Sequence, residues 1–240
     1  MPAEHTVKAF TEDLAKIERS LLEMGGLVEA QIARAVTAVT QRDSELAPRI
    51  IEQDSEIDRY EQDVQDQVER LFALRQPVAQ DLRMTISAIQ IAGYLERAGD
   101  LAASMARRAI VLCETREVPG LYSLPKLGDA SHTMLKDALD AYRDRNVEHA
   151  KSIRHRDREL DDMYVVLCRE LLTHMLEDPH RITPGVHLLF VAKNLERIAD
   201  HATNIAELVD YMTTGTRASD DRPRGRGFLM EGAPTLDDPL

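Results

Sequence analysis

The sequence predicts an all-α protein, and three observations support this prediction. Among 240 residues there are only 11 Gly and no Trp, and aromatic side chains make up 4% of the chain. This composition favours helices over sheets. Apolar residues recur every three or four positions over long stretches, which is the helical period. The segment LERAGDLAAS at 95–104 also returns as LERIADHATN at 195–204, so the chain is built from two repeats.

The first helix is predicted by an apolar stripe that buries one face over about ten turns. The stripe consists of Val7, Phe10, Leu14, Ile17, Leu21, Met24, Val28, Ile32, Ala35 and Val39. A break is expected between Gln41 and Pro48. The spacing therefore indicates one long helix that ends before a short connection.

Two further helices complete the first repeat. One is predicted from about Pro48 to Leu74 and ends at Gln76-Pro77, because proline cannot continue the helical hydrogen bonds. Its inward residues are expected to be Ile50, Ile57, Val64, Val68 and Leu71. The next is predicted from about Val78 to Cys113. Its inward stripe is Ile91, Leu95, Ala98, Ala102, Met105, Ala109 and Leu112.

A linker marked by Pro119-Gly120 and Pro125 precedes the second repeat. Residues 54–58 align with 157–161 at an offset of 103, whereas the two LER segments are offset by 100. The first repeat therefore carries three extra residues, which are expected in the turn because turns tolerate length changes. We predict two pseudo-symmetric three-helix bundles, at 1–116 and 117–214, and a disordered polar tail at 215–240.

Charge and cysteine content narrow the class of function. The net charge is −12, which argues against direct binding of nucleic acid. Cys113 and Cys168 have no CxxC partner, so a reducing, cytoplasmic compartment is favoured over a disulfide framework. The N-terminus lacks the layout of a signal peptide, and no apolar run is long enough to span a membrane.

Acidic pairs are the candidate site. Each repeat carries one DxxxD pair and one ExxxD pair, and residues four apart share a helix face. The eight residues are Asp54, Asp58, Glu96, Asp100, Asp157, Asp161, Glu196 and Asp200. Positions 58 and 96 average to 77, the predicted turn, and positions 161 and 196 average to 178.5. In an antiparallel hairpin each DxxxD should therefore face its ExxxD.

Four clustered carboxylates repel one another unless a cation lies between them. All-oxygen ligands suit hard ions, so divalent or trivalent Mg, Mn, Ca or Fe is expected rather than thiolate-bound Zn. Two alternatives stay open. The acids can form ordinary salt bridges, for instance between Arg97 and Asp100 or between Arg197 and Asp200. His201 can enrich the second site, or it can be an ordinary polar residue.

The sequence shows no catalytic signature. The position three residues after Glu96 is Gly99, and three after Glu196 it is Ala199, so the Glu-x-x-His pattern of bundle di-iron oxidases is missing. No nucleophile triad and no phosphate-binding loop stands out. We therefore expect a protein that is not an enzyme, with a bundle metalloenzyme as the alternative.

The chain resembles the PhoU family of phosphate-signalling proteins. The resemblance covers about residues 1–214. It rests on LLFVAKNLERIADHATNIAELVDYM at 188–212, on LERAGDLAASMARRA from Leu95 and on RQPVAQDLR at 75–83. The resemblance implies two three-helix bundles with a shared core, and multinuclear metal sites at the eight acidic residues. Leu101 stands where the second repeat has His201, which distinguishes the two sites.

The resemblance also implies a regulatory role. Such proteins are cytosolic, often homodimeric, and repress phosphate uptake and the phosphate-starvation response. The partners it implies are the ATPase subunit of the phosphate ABC transporter and a phosphate-sensing histidine kinase. No nucleic acid and no direct membrane insertion is expected.

Overall fold

The computed structural model of the protein describes residues 2–75, 77–118 and 121–216, and for residues 2–9 the backbone alone. The described chain contains six α-helices and no strand, which confirms the predicted all-α class. The helices are α1 (Pro2–Gln41), α2 (Leu46–Arg75), α3 (Ala79–Cys113), α4 (Ser123–Asp144), α5 (Val147–Glu177) and α6 (Ile182–Thr214). A short 3₁₀ turn, Pro179–Arg181, precedes α6.

Local hydrogen bonds fix the break between α1 and α2. Arg42 follows α1 with a left-handed backbone, at φ 54°. Asp43 then accepts hydrogen bonds from the backbone N–H groups of Glu45 and Leu46, each at 2.9 Å, and so caps the start of α2. The Arg42 guanidinium also donates to the carbonyl oxygens of Leu112 and Thr115, which ties this break to the end of α3.

One predicted boundary is wrong, and others fall outside the described residues. Pro125 was expected in the linker, but it lies in the first turn of α4. Proline is tolerated there because the first N–H groups of a helix have no intrahelical acceptor. The linker residues Pro119 and Gly120, residue Gln76, the side chain of Val7 and the predicted tail from 217 onward lie outside the described part of the chain.

The helices form two three-helix bundles, α1–α3 and α4–α6, around one shared core. α1, α3, α6 and α4 contact one another in a ring, while α2 packs only on α1 and α3, and α5 packs on α4 and α6. The apolar residues predicted to point inward from α2 and α3 are all buried. Phe10 and Leu14 of the α1 stripe are half-buried and pack against the core. Within the described residues no helix is long and apolar enough to cross a bilayer.

Paired glycines bring α1 and α4 close together. A Cβ on Gly25 would lie 2.5 Å from Leu139 Cδ1, and a Cβ on Gly128 would lie 2.8 Å from Val36 Cγ1. The two contacts are equivalent, because residues 25 and 36 become 128 and 139 at the 103-residue offset of the repeats. The pseudo-twofold symmetry of the sequence is therefore visible in the packing.

The two repeats also meet along α3 and α6, which run antiparallel. The Tyr94 ring lies 5.6 Å from the His201 ring, and Asn194 Nδ2 donates to the Leu101 carbonyl oxygen at 3.3 Å. In two antiparallel helices, the residue numbers of facing positions have a constant sum. Both pairs fit one register, because 94 and 201, like 101 and 194, add up to 295. We call this contact between α3 and α6 the seam.

Candidate functional site

The first acidic cluster comprises Asp54, Asp58, Glu96 and Asp100, and lies in the groove between α2 and α3. The predicted register of this hairpin is confirmed. A Cβ on Gly99 would lie 3.0 Å from Ile57 Cδ1, and positions 57 and 99 average to 78, next to the predicted turn. Helices packed in this register bring the two acidic pairs to the same height.

Charges within the first cluster act on one another. Burial raises the pKa of Glu96, and the neighbouring carboxylates Asp100, Glu61 and Asp58 raise it further. Burial likewise raises the pKa of Asp54; the charges of Asp100 and Asp58 add to this rise. The charges of Asp58 and Asp100 therefore disfavour the ionised forms of Glu96 and Asp54, and the same repulsion favours the approach of a cation.

Gln31 of α1 supports this cluster from inside the core. It is only 3% exposed, and its Nε2 donates to Asp54 Oδ1 at 3.1 Å and to the Ile50 carbonyl oxygen at 3.3 Å. This hydrogen bond lowers the pKa of Asp54 against the effect of burial. The Oε1 atom of Gln31 is buried and has no hydrogen-bond partner. Gln31 thus orients Asp54 from beneath the groove.

The second cluster comprises Asp157, Asp161, Glu196 and Asp200, between α5 and α6. Thr203 Oγ1 donates to Asp157 Oδ1 at 3.1 Å. Positions 157 and 203 average to 180, whereas the sequence predicted a centre at 178.5 with Asp157 opposite Asp200. Lys193 Nζ lies 5.6 Å from the centre of the Tyr164 ring, and positions 164 and 193 average to 178.5. The contacts across this hairpin therefore lie within about one and a half residues of the predicted centre. The turn contains a 3₁₀ helix, Pro179–Arg181, which the sequence did not predict.

A lysine distinguishes the second cluster from the first. Lys193 Nζ lies 2.6 Å from Glu196 Oε2, and the Glu196 side chain is only 14% exposed. Burial raises the pKa of Asp161 to about 6; the charges of Asp157 and Glu196 add to this rise and that of Lys193 opposes it. An ammonium group therefore already lies among these carboxylates.

The clusters are wider in this structure than a metal centre. Among the residues described, no three His, Cys, Asp or Glu side chains stand close enough to hold one metal ion. The donor chemistry fits a hard cation, since every candidate ligand is a carboxylate. The assignment of the eight acids as metal ligands stays a prediction.

His201 lies in the seam and not in the second cluster. Its ring packs on Tyr94 of α3, and both ring nitrogens are buried without a hydrogen-bond partner. Burial lowers the pKa of His201 to about 4, and the charges of Arg97 and Arg197 add to this effect. The Arg97 guanidinium lies 5.7 Å from the Tyr94 ring centre.

Sequence reasoning missed the residues that support the clusters. Gln31 lies on α1, and no local spacing connects it with an acidic pair. Lys193 and Thr203 could have been found, because Lys193 precedes Glu196 by three residues and Thr203 follows Asp200 by three, so that each shares a helix face with the acidic pair.

Comparisons with known proteins agree with this architecture. A sequence profile of the PhoU domain matches residues 21–109 and again residues 124–209. The chain is 42% identical over 222 residues to a "Phosphate-specific transport system accessory protein PhoU homolog" of Caulobacter vibrioides, covering 92% of this chain and 96% of that protein. A protein of the same description from Rhizobium meliloti is 44% identical, covering 93% of this chain and 95% of that protein.

Two solved structures are similar throughout the fold. The crystal structure of PhoU from Pseudomonas aeruginosa superposes with a TM-score of 0.83 at 41% identity, covering 86% of this chain and all of that one. The phosphate transport system regulatory protein PhoU from Streptococcus pneumoniae gives a TM-score of 0.81 at 31% identity, covering 88% of this chain and 99% of that one.

Proposed function

The chain belongs to the PhoU family, and we propose that it is an accessory protein of a phosphate-specific transport system that represses phosphate uptake and the phosphate-starvation response. The observation that carries this proposal is the identity of 42% over 92% of the chain to a relative named as such an accessory protein. Similarity over nearly the whole length of both chains supports a shared role, because it includes both repeats.

We propose that the protein acts in the cytoplasm as an adaptor and not as an enzyme. Its partners on this proposal are the ATPase subunit of the phosphate ABC transporter and a phosphate-sensing histidine kinase. The names of the relatives support an accessory role. A homodimer is part of the same proposal.

Exposed apolar side chains support a role in protein contact. Ile182, Val186 and Phe190 are 48%, 40% and 50% exposed, and they recur every four residues along one face of α6. We call these three residues the α6 stripe. The Arg108 guanidinium lies 4.1 Å from the Phe190 ring centre, which places a positive charge beside the stripe. Apolar surface of this kind is typical of interaction sites.

We further propose that the two clusters bind hard metal ions such as Mg, Mn or Fe. The raised pKa of Glu96 and that of Asp161 support this, because neighbouring carboxylates contribute to both and a cation would relieve the same repulsion. Asp58 and Asp100 are exposed, so their side chains have room to turn towards an ion. Metal analysis after dialysis against Mn²⁺ tests this part, and protein without bound ion contradicts it.

Deletion of the gene tests the regulatory role. A phosphate-starvation reporter should be active at high phosphate in the deletion strain and silent again when the full chain is restored. Reporter output that stays low at high phosphate in the deletion strain would argue against repression.

A further inference from the structure

The two acidic clusters differ at two equivalent positions that face each other across the hairpin. At the 100-residue offset of α3 and α6, Gly93 of the first repeat corresponds to Lys193 of the second. At the 103-residue offset of α2 and α5, Glu61 corresponds to Tyr164. In each repeat these two residues come together across the hairpin. Comparing the two repeats therefore shows what each of these residues changes in an otherwise similar groove.

In the first repeat this pair adds a negative charge. A Cβ on Gly93 would lie 3.7 Å from Glu61 Oε1, so the glutamate lies over the space that the glycine leaves. Glu61 follows Asp58 by three residues and therefore lies on the same face of α2. The first groove thus contains five carboxylates. Beneath it lies Gln31, which donates to Asp54 while its buried Oε1 has no partner.

In the second repeat the same pair adds a positive charge. Lys193 Nζ lies 2.6 Å from Glu196 Oε2 and 5.6 Å from the centre of the Tyr164 ring. The Tyr164 ring face attracts the ammonium group by a cation–π interaction, and the Glu196 carboxylate attracts it by its negative charge. The second groove therefore already holds a cation, which belongs to the chain itself.

We propose that the clusters are unequal cation sites: the first binds an external divalent ion with Glu61 as an additional carboxylate, whereas in the second the Lys193 ammonium is a tethered cation that a metal ion must displace. This inference rests on the proposed metal binding. The chemical reason is charge, since the facing positions add the Glu61 carboxylate to the first groove and the Lys193 ammonium group to the second. The Arg107 charge, which acts on Asp54, offsets part of this difference. A divalent ion is attracted more strongly to the first.

Binding of Mn²⁺ to the full chain, measured by equilibrium dialysis, tests the inference with one cluster disabled at a time. In an E196Q/D200N background, Glu61→Gln should weaken binding at the first cluster about tenfold, and Gly93→Lys should weaken it at least as much. In an E96Q/D100N background, Lys193→Gln should strengthen binding at the second cluster about tenfold. Lys126→Gln removes an exposed charge on α4 and is the matched control. Circular dichroism and the Tm establish that each variant is folded.

The outcomes distinguish two hypotheses: that the clusters bind metal ions, and that the two clusters bind them unequally. If no variant binds Mn²⁺, metal binding itself is wrong and the inference falls with it. If both clusters bind with equal affinity and neither Lys193→Gln nor Glu61→Gln changes it, the clusters are equivalent and only the inference is wrong. A change with Lys126→Gln as large as that with Lys193→Gln would show a general charge effect and also overturn it.

Discussion

At the scale of residues, helical spacing predicted where the carboxylates lie, but it did not predict that Gln31 donates a hydrogen bond to one of them. Asp54 and Asp58 share a face because they are four apart, and this follows from the geometry of any helix. The hydrogen bond from Gln31 to Asp54 joins residues 23 positions apart, and it depends on how α1 packs on α2. Such a contact has no local signal, so the sequence alone did not predict it.

His201 gives the chain a measurable dependence on pH. Its pKa lies near 4 in the folded protein and near 6.5 as an ordinary histidine, so between these values the unfolded chain binds the proton and the folded one does not. The contribution of neutral His201 to the free energy of unfolding is complete above about pH 6.5, and it is lost as the pH falls towards 4. His201→Leu, which introduces the residue found at Leu101, removes this loss.

Urea unfolding at pH 7.5 and pH 5, in the presence of a chelator, measures the effect. The wild-type protein should lose about 1 kcal/mol more of its unfolding free energy over this interval than His201→Leu, after allowance for solvent screening. Equal losses in the two proteins would mean that His201 titrates normally in the folded state.

At the scale of elements, the helices and the first hairpin were predictable, and the second turn was not. Apolar stripes indicated where α1, α2 and α3 lie, because each must bury one face. The turn arithmetic was correct where the connection is short, around Pro77. In the second hairpin the contacts are centred at 178.5 for Tyr164 with Lys193 and at 180 for Asp157 with Thr203. A 3₁₀ turn, Pro179–Arg181, extends the connection there. Nothing in the residues around Pro179 distinguishes such a turn from an immediate helix start.

The close approach of α1 and α4 predicts opposite effects of two similar substitutions. Gly128→Ala places a Cβ 2.8 Å from both γ carbons of Val36, a stiff β-branched side chain, and should destabilise the protein by about 1–3 kcal/mol. Gly26→Ala meets nothing within 4 Å and should stabilise it by up to about 1 kcal/mol, because alanine favours the helix. Denaturant unfolding of both variants provides the measurement, and equal effects would show that α1 and α4 are not tightly packed at Gly128.

At the scale of the whole molecule, the duplication was predictable but the arrangement of the two repeats was not. The LER segments show that two similar units exist. The seam depends on which face of α3 meets which face of α6, and apolar stripes do not specify a partner. The contact of Tyr94 with His201 therefore became visible only in the structure.

The adaptor role predicts that the α6 stripe contributes to partner binding. Phe190→Ser removes a half-exposed ring and should weaken co-purification of the transporter ATPase subunit about tenfold or more, because buried aromatic side chains dominate many interfaces. The Tm should change little, since the ring lies outside the core. Val166→Ser removes another exposed apolar side chain, on α5, and should leave binding unchanged. Equal effects of the two substitutions would count against the α6 stripe.

The covalent connection of the two repeats has a consequence for how this protein can evolve. In a symmetric dimer of separate three-helix chains, each mutation would appear in both halves, so a lysine acquired near one acidic groove would also enter the other. A single chain with two halves escapes this restriction. Lys193 can arise in one half while Gly93 persists in the other, and selection can tune two related grooves independently without changing the scaffold that holds them.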